Sequence, residues 1–130
     1  MSKLCVITGV GAGNGASFSR RFTREGYRVV MLARNLAYLE TLAKEIPGSV
    51  AMECDVRDPS AIQHVFAGIH EEIGTVDTLI HNAGAGEWTS IMDTSLEGME
   101  SSWATNTLGL VACAQQVIPS MTEKGEGNIM

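Results

Sequence analysis

A chain of 130 residues, 45% hydrophobic and 5% aromatic, holds the material for one domain with a real core and too little for two. Its net charge of −6 argues against a nucleic-acid or anionic-membrane surface, and no apolar run approaches the roughly 18–20 residues of a membrane span. The apolar stretch at 4–10 is too short for a signal peptide, and Cys5, Cys54 and Cys113 read as buried free thiols of a cytoplasmic protein, with no metal-ligand spacing.

Residues 3–8 are continuously apolar up to Thr8, which predicts a strand buried on both faces. A helix follows over 14–25, with Phe18 and Phe22 one turn apart toward the core, and Gly26 breaks it. A second buried strand spans 28–33. Leu39, Leu42, Ala43 and Ile46 share one face of a helix over 36–46 that Pro47-Gly48 stops. Residues 49–53 form a short third strand. Asp58-Pro59 caps the next helix, whose apolar face is Ile62, Val65, Phe66, Ile69 and Ile73 and which ends at Gly74.

Residues 76–80 are a fourth buried strand, and 83–93 a loop. Thr94 and Glu97 form a capping box for one long helix to about residue 118, with Met99, Trp103, Leu110, Ala114 and Val117 on its inner face and Asn106 the buried polar residue among them. Residues 127–130 read as the start of a fifth strand; a sheet stopping there leaves strand four a bare edge. Strand and helix alternate four times, so the expected fold is α/β: an incomplete doubly wound parallel sheet of Rossmann type, in the order 3-2-1-4.

The chemistry starts at Thr8-Gly9-Val10-Gly11-Ala12-Gly13-Asn14-Gly15, between the first strand and the first helix. Glycines there let the backbone turn tightly and approach a pyrophosphate at the positive end of the helix. No Gly-Lys-Ser/Thr follows, so the loop is not an NTPase P-loop. The second strand ends Ala33-Arg34-Asn35, without the carboxylate that would receive a ribose 2′-hydroxyl. A carboxylate repels a 2′-phosphate, whereas a guanidinium holds it through paired charged hydrogen bonds, so Arg34 favours NADP(H) over NAD(H). Ala12 stands where a second basic residue is often found in NADP-binding relatives.

Four segments in this order resemble the short-chain dehydrogenase/reductase family over essentially the whole chain, matching about the first half of a family domain. Residues 8–15 match TGxxxGxG. His81-Asn82-Ala83-Gly84 matches NNAG, with His for the first Asn, and Thr105-Asn106-Thr107-Leu108-Gly109 matches the mid-helix Asn-x-x-Gly. The resemblance implies that backbone amides near Asn14 and Gly15 meet the pyrophosphate, and that Asp55 and the Val56 amide lie near the adenine. Asn82 is then a brace, Ala83 and Gly84 are small so that the nucleoside can lie on the backbone, and Asn106 is the catalytic asparagine that holds a relay water. His81 replaces a family Asn and is a structural variation; His64 and His70 face solvent.

The family's catalytic Ser and Tyr-x-x-x-Lys have no counterpart: Tyr27 and Tyr38 are followed four residues later by Met31 and Leu42. The resemblance therefore implies that residues 1–130 are the dinucleotide-binding half, truncated before those groups and inactive alone, of an NADP(H)-dependent oxidoreductase acting on a carbonyl or alcohol. By analogy with oligomeric relatives, the helix carrying Trp103 is a candidate contact between copies. Two other readings stay open: a non-catalytic nucleotide-binding module, and a methyltransferase using S-adenosylmethionine, against which Arg34 speaks.

Overall fold

The computed structural model describes residues 2–130. Five parallel strands lie in the order β3-β2-β1-β4-β5: β1 Leu4–Thr8, β2 Arg28–Ala33, β3 Ser49–Glu53, β4 Thr78–His81 and β5 Asn128–Ile129. The doubly wound parallel sheet expected from the alternation is present. The fifth strand is short but real: Asn128 and Ile129 pair with Thr78 and Leu79, so β4 is not a bare edge.

Because side chains alternate across a pleated sheet, the central strands feed two cores. Val6, Val30 and Leu79 point to one face, where they meet Ile62, Phe66 and Ile69 of α3 (Pro59–Glu72) and Cys113 and Val117 of α5 (Gly109–Lys124). Cys5, Ile7, Val29, Met31 and Ile80 point to the other, beneath Ala16 of α1 (Asn14–Arg24) and Leu39 and Leu42 of α2 (Leu36–Glu45). Phe66 is wholly buried, and burial of such a ring contributes about 1.5–3 kcal/mol.

The structure corrects four local expectations. In α1 the buried residues are Gly15, Ala16 and Ser19, while Phe18 is exposed. Small side chains bring the helix close to the sheet, and Phe22 is left to pack edge-on against Tyr27, 5.0 Å between ring centres. Strand β4 starts at Thr78 rather than at 76, because the Asp77 N–H and carboxylate are already spent on the carbonyl and N–H of Leu4.

The N-cap of α4 (Leu96–Trp103) is Ser95, whose hydroxyl accepts from the Gly98 N–H at 2.9 Å. The Thr94 hydroxyl is instead turned toward the preceding loop, where it donates to the Ser90 carbonyl. The long helix is also not one α-helix. A π turn over Ala104–Leu108 separates α4 from α5, which runs on through Pro119 to Lys124 and ends at Gly125 with φ 81°. A π turn breaks the 3.6-residue phase, so one stripe cannot be carried from Met99 to Val117. The residues buried along it are Gly109, Cys113, Val117 and Met121, and Met99 and Trp103 are exposed.

Asp77 closes the end of the sheet away from the strand C-termini. Burial pushes its carboxyl up, but the Lys124 ammonium, the Leu4 N–H and the charge of Lys3 outweigh that and hold it below the ordinary carboxylate value. A depressed folded value means that this stability is present above the unfolded value of about 3.9 and is lost as pH falls through the folded one. Asp77→Asn is expected to lose about 1–3 kcal/mol at neutral pH, and thermal unfolding followed against pH should then show a shallower acid limb than the parent.

Candidate functional site

The C-terminal ends of β1 to β4 open onto one cleft of about 1120 Å³, against about 300–1,000 Å³ for typical small-molecule sites. It lies where the strand order reverses between β1 and β4, the crevice in which open α/β sheets take ligands. The turn after β1 contributes Gly9, Gly13, Asn14 and Gly15 to its lining, and the end of β2 contributes Arg34. Asp55 and Val56 come from the end of β3, and Asn82, Ala83 and Gly84 from the end of β4. Residues far apart in sequence are thus brought together because parallel strands all finish on the same side.

The glycines divide into two kinds. Gly9 has φ 65°, and a Cβ there would stand 2.3 Å from the Ala83 Cα; at Gly15 it would stand 2.6 Å from the Val10 Cα. Those two let protein backbone meet protein backbone. A Cβ on Gly11 or Gly13 would meet nothing within 4 Å, so that side of the turn is open to the cleft. Asn82 locks the arrangement: its Nδ2 donates to the Gly9 carbonyl at 3.0 Å.

Helices α2, α3 and α4 are capped by the side chains of Asn35, Asp58 and Ser95, whereas α1 begins at Gly13 with no side-chain cap. Its first N–H groups therefore face the cleft together with the positive end of the helix dipole, the arrangement that holds a phosphate.

Asp55 is not a free carboxylate. Arg57 donates to it through its backbone N–H (3.0 Å), Nε (3.1 Å) and Nη2 (2.8 Å), and reaches the Ser101 hydroxyl on α4 with Nη1 (3.2 Å). The Arg57 hydrogen bonds hold the Asp55 carboxyl below its usual value, and the charge of Arg34 adds to the effect. Arg57 and Ser101 also line the cleft, and sequence reasoning missed both. The available signal was a local one: an Asp followed two residues on by an Arg whose own N–H it can accept.

Asn106 lies outside the cleft lining and is exposed, not buried as its place on a supposed apolar face implied. Its amide is nevertheless held on both sides, with Nδ2 donating to the Ala85 carbonyl (2.7 Å) and Oδ1 accepting from the Ala85 N–H (2.8 Å). The π turn thereby holds the loop after β4. Gly109, three residues on, is buried where a Cβ would stand 2.9 Å from the Val56 carbonyl, which lets α5 approach the end of β3.

The cleft contains no activated thiol. Burial, with added repulsion from Asp55 and Asp58, pushes the Cys54 thiol up to about 11, and burial pushes Cys5 and Cys113 to about 12. His64 and His70 are exposed on α3, the latter against the Gln116 carbonyl at 3.1 Å. Among the described residues no group of three or more His, Cys, Asp or Glu could hold a metal ion, and no helix is long and apolar enough to cross a membrane.

Two substitutions separate the two kinds of glycine. Gly9→Ala is expected to cost roughly 2–5 kcal/mol, combining about 1–2 for left-handed backbone with about 1–3 for overpacking. Gly13→Ala, with open space before it, should stay within about 1 kcal/mol of the parent in denaturant unfolding.

The family model described as short chain dehydrogenase matches residues 3–130. Farnesol dehydrogenase of Aedes aegypti is 33% identical over 135 residues, covering 98% of this chain and 55% of the relative. An NADP-dependent 3-hydroxy acid dehydrogenase of Shigella flexneri is 32% identical over 129 residues, 98% of this chain and 52% of the relative. Among solved structures, an alcohol dehydrogenase of Thermococcus sibiricus complexed with 5-hydroxy-NADP superposes with a TM-score of 0.93 at 25% identity, covering 99% of this chain and 57% of that one. The chain spans about half the length of the curated relatives it matches. With its strand order, its glycine turn and a family match along nearly all of its length, the chain belongs to the short-chain dehydrogenase/reductase family, whose members are oxidoreductases.

Proposed function

We propose that this chain is the cofactor-binding half, without the catalytic Ser and Tyr-x-x-x-Lys, of an NADP(H)-dependent oxidoreductase acting on a small carbonyl or alcohol. The observation that carries the NADP(H) reading is Arg34, which lines the cleft at the end of β2 where no carboxylate stands. Arg57 lines the same cleft, but its charge is matched by Asp55. The Shigella flexneri relative named as NADP-dependent and the Thermococcus sibiricus structure with an NADP derivative agree with this choice.

The residues fit such a group. The uncapped start of α1 at Asn14 and Gly15, fronted by Gly13, takes the pyrophosphate, and Arg34 takes the 2′-phosphate. Asp55 and the Val56 amide border the adenine, and Ala83 and Gly84 give the nucleoside a flat backbone floor. Asn82 fixes the glycine turn against that floor. Asn106 keeps Ala85 in place and stands in the family's position for the relay water. The nicotinamide, when bound, supplies the hydride donor or acceptor for the substrate carbon. Three buried free thiols suit a reducing, cytoplasmic compartment.

Large apolar side chains are exposed in succession from Trp88 through Leu96, Met99 and Trp103 to Ile118. We assign this stretch to contact with a second copy; sedimentation showing a monomer, unaltered by Trp103→Glu, would discard the assignment.

Arg34→Asp tests the cofactor reading. The parent should bind NADPH about 10- to 100-fold more tightly than NADH, as expected for one charge-assisted phosphate contact, and the variant should reverse that order. Titration of nucleotide fluorescence reads both, and unchanged selectivity would remove Arg34 from the role. Tight NADPH binding by the complete polypeptide with no carbonyl turnover would instead support a non-catalytic nucleotide module, and displacement of NADPH by S-adenosylmethionine would support a methyltransferase.

A further inference from the structure

His81 is the last residue of β4 and half-buried, and both of its ring nitrogens are engaged. Nε2 lies 2.9 Å from the Thr105 carbonyl in the π turn, and Nδ1 lies 3.0 Å from the Thr8 hydroxyl at the end of β1. A carbonyl only accepts, so Nε2 carries the hydrogen. In the neutral ring Nδ1 is then the acceptor and Thr8 the donor. The Thr8 oxygen in turn accepts from the Ala83 N–H at 3.2 Å. A directed chain therefore runs from the Ala83 N–H through Thr8 and His81 to Thr105. One residue further on, Asn106 grips both backbone groups of Ala85.

We propose that His81 is a positioning residue that couples the glycine turn to the π turn, and so holds the Ala83–Ala85 backbone as one rigid floor for the nucleoside. This rests on the nucleotide site proposed above. The ring is suited to the task by its reach. Asn at this place could present a polar atom near the position of Nδ1 but is too short to meet Thr105 as well, whereas Gln reaches the position of Nε2 and forgoes the Thr8 contact. The chain also works in only one charge state. A protonated ring would point Nδ1–H at the Thr8 oxygen, and the hydroxyl hydrogen of Thr8, which is wholly buried, would lose its acceptor. The ring partners of His81, the Thr8 hydroxyl and the Thr105 carbonyl, are uncharged, while its own N–H donates to Met130, whose C-terminal carboxylate is an anion beside it. The charged residues on the elements packed against β4, Lys3 just before β1 and Glu123 and Lys124 of α5, are exposed, and Lys124 pairs with Asp77 at the other end of the strand.

Amide hydrogen exchange in the full chain, resolved by residue and expressed as protection over the intrinsic rate, tests this without any ligand. His81→Phe should lower protection at both Ala83 and Ala85 by about tenfold or more while leaving Val29 and Val30 of β2 unchanged. His81→Asn should restore Ala83 alone and His81→Gln Ala85 alone. In the parent, acidification should lower Ala83 protection, and in the Asn and Gln variants it should not. Equal protection in the parent and the variants, a uniform loss that includes β2, or the same acid response in the parent and His81→Gln would overturn the proposal. If His81→Phe does not fold, the two amide variants decide it alone. NADPH titration in parallel keeps the two readings apart: no binding by the parent would end the cofactor reading, while the exchange pattern would still decide whether His81 couples the two turns.

Discussion

The cleft depends on the contact between the end of β1 and the end of β4. Gly9 turns with φ 65° and meets the Ala83 backbone at a separation no side chain could share. Asn82 ties the same two segments from the other side through the Gly9 carbonyl. Because the strands are parallel and adjacent, this junction sits at the reversal of strand order, with helices leaving on opposite faces. Open the junction, and the start of α1, the floor at Ala83–Ala85 and the π turn lose their common reference.

Around that junction the polar groups are either consumed or deliberately left over. Asn106 is anchored on Ala85, Asp55 on Arg57, and the Thr8 hydroxyl on His81 and Ala83. These bonds set the positions of the segments around the cleft. What remains free is the uncapped start of α1 and the guanidinium of Arg34, both suited to negative charge. A protein with a formal charge of −6 thus keeps, in the lining of this cleft, one guanidinium unpaired among the described residues, that of Arg34. At the opposite end of the sheet Asp77 and Lys124 form a structural pair that no ligand role requires.

The π turn is the least regular element and joins two halves of the molecule. It lets α5 bury Gly109, Cys113, Val117 and Met121 against the sheet while α4 buries nothing and keeps Met99 and Trp103 outside. Such a turn adds a residue to the helical repeat, and its backbone turns Thr105 and Asn106 toward the β4 loop. Periodicity reading assumes one constant phase, so it placed Asn106 on a buried face and carried an apolar stripe across the break.

Strand order, the two-sided burial of β1 and β2, the cap at Asp58 and the glycine turn were legible from the 130 residues alone, because each is set by local pattern and by the handedness of parallel crossovers. The ten residues expected at a nucleotide site, several of them through the family resemblance, line one cleft because they follow strand ends, and strand ends share one side of the sheet. Tertiary structure alone decided the contact of Arg57 with Ser101, the π turn and the double engagement of His81. Those depend on distances between segments up to 73 residues apart, as between Thr8 and His81, and no local pattern in a single sequence encodes which of several polar groups will stand within 3 Å of another.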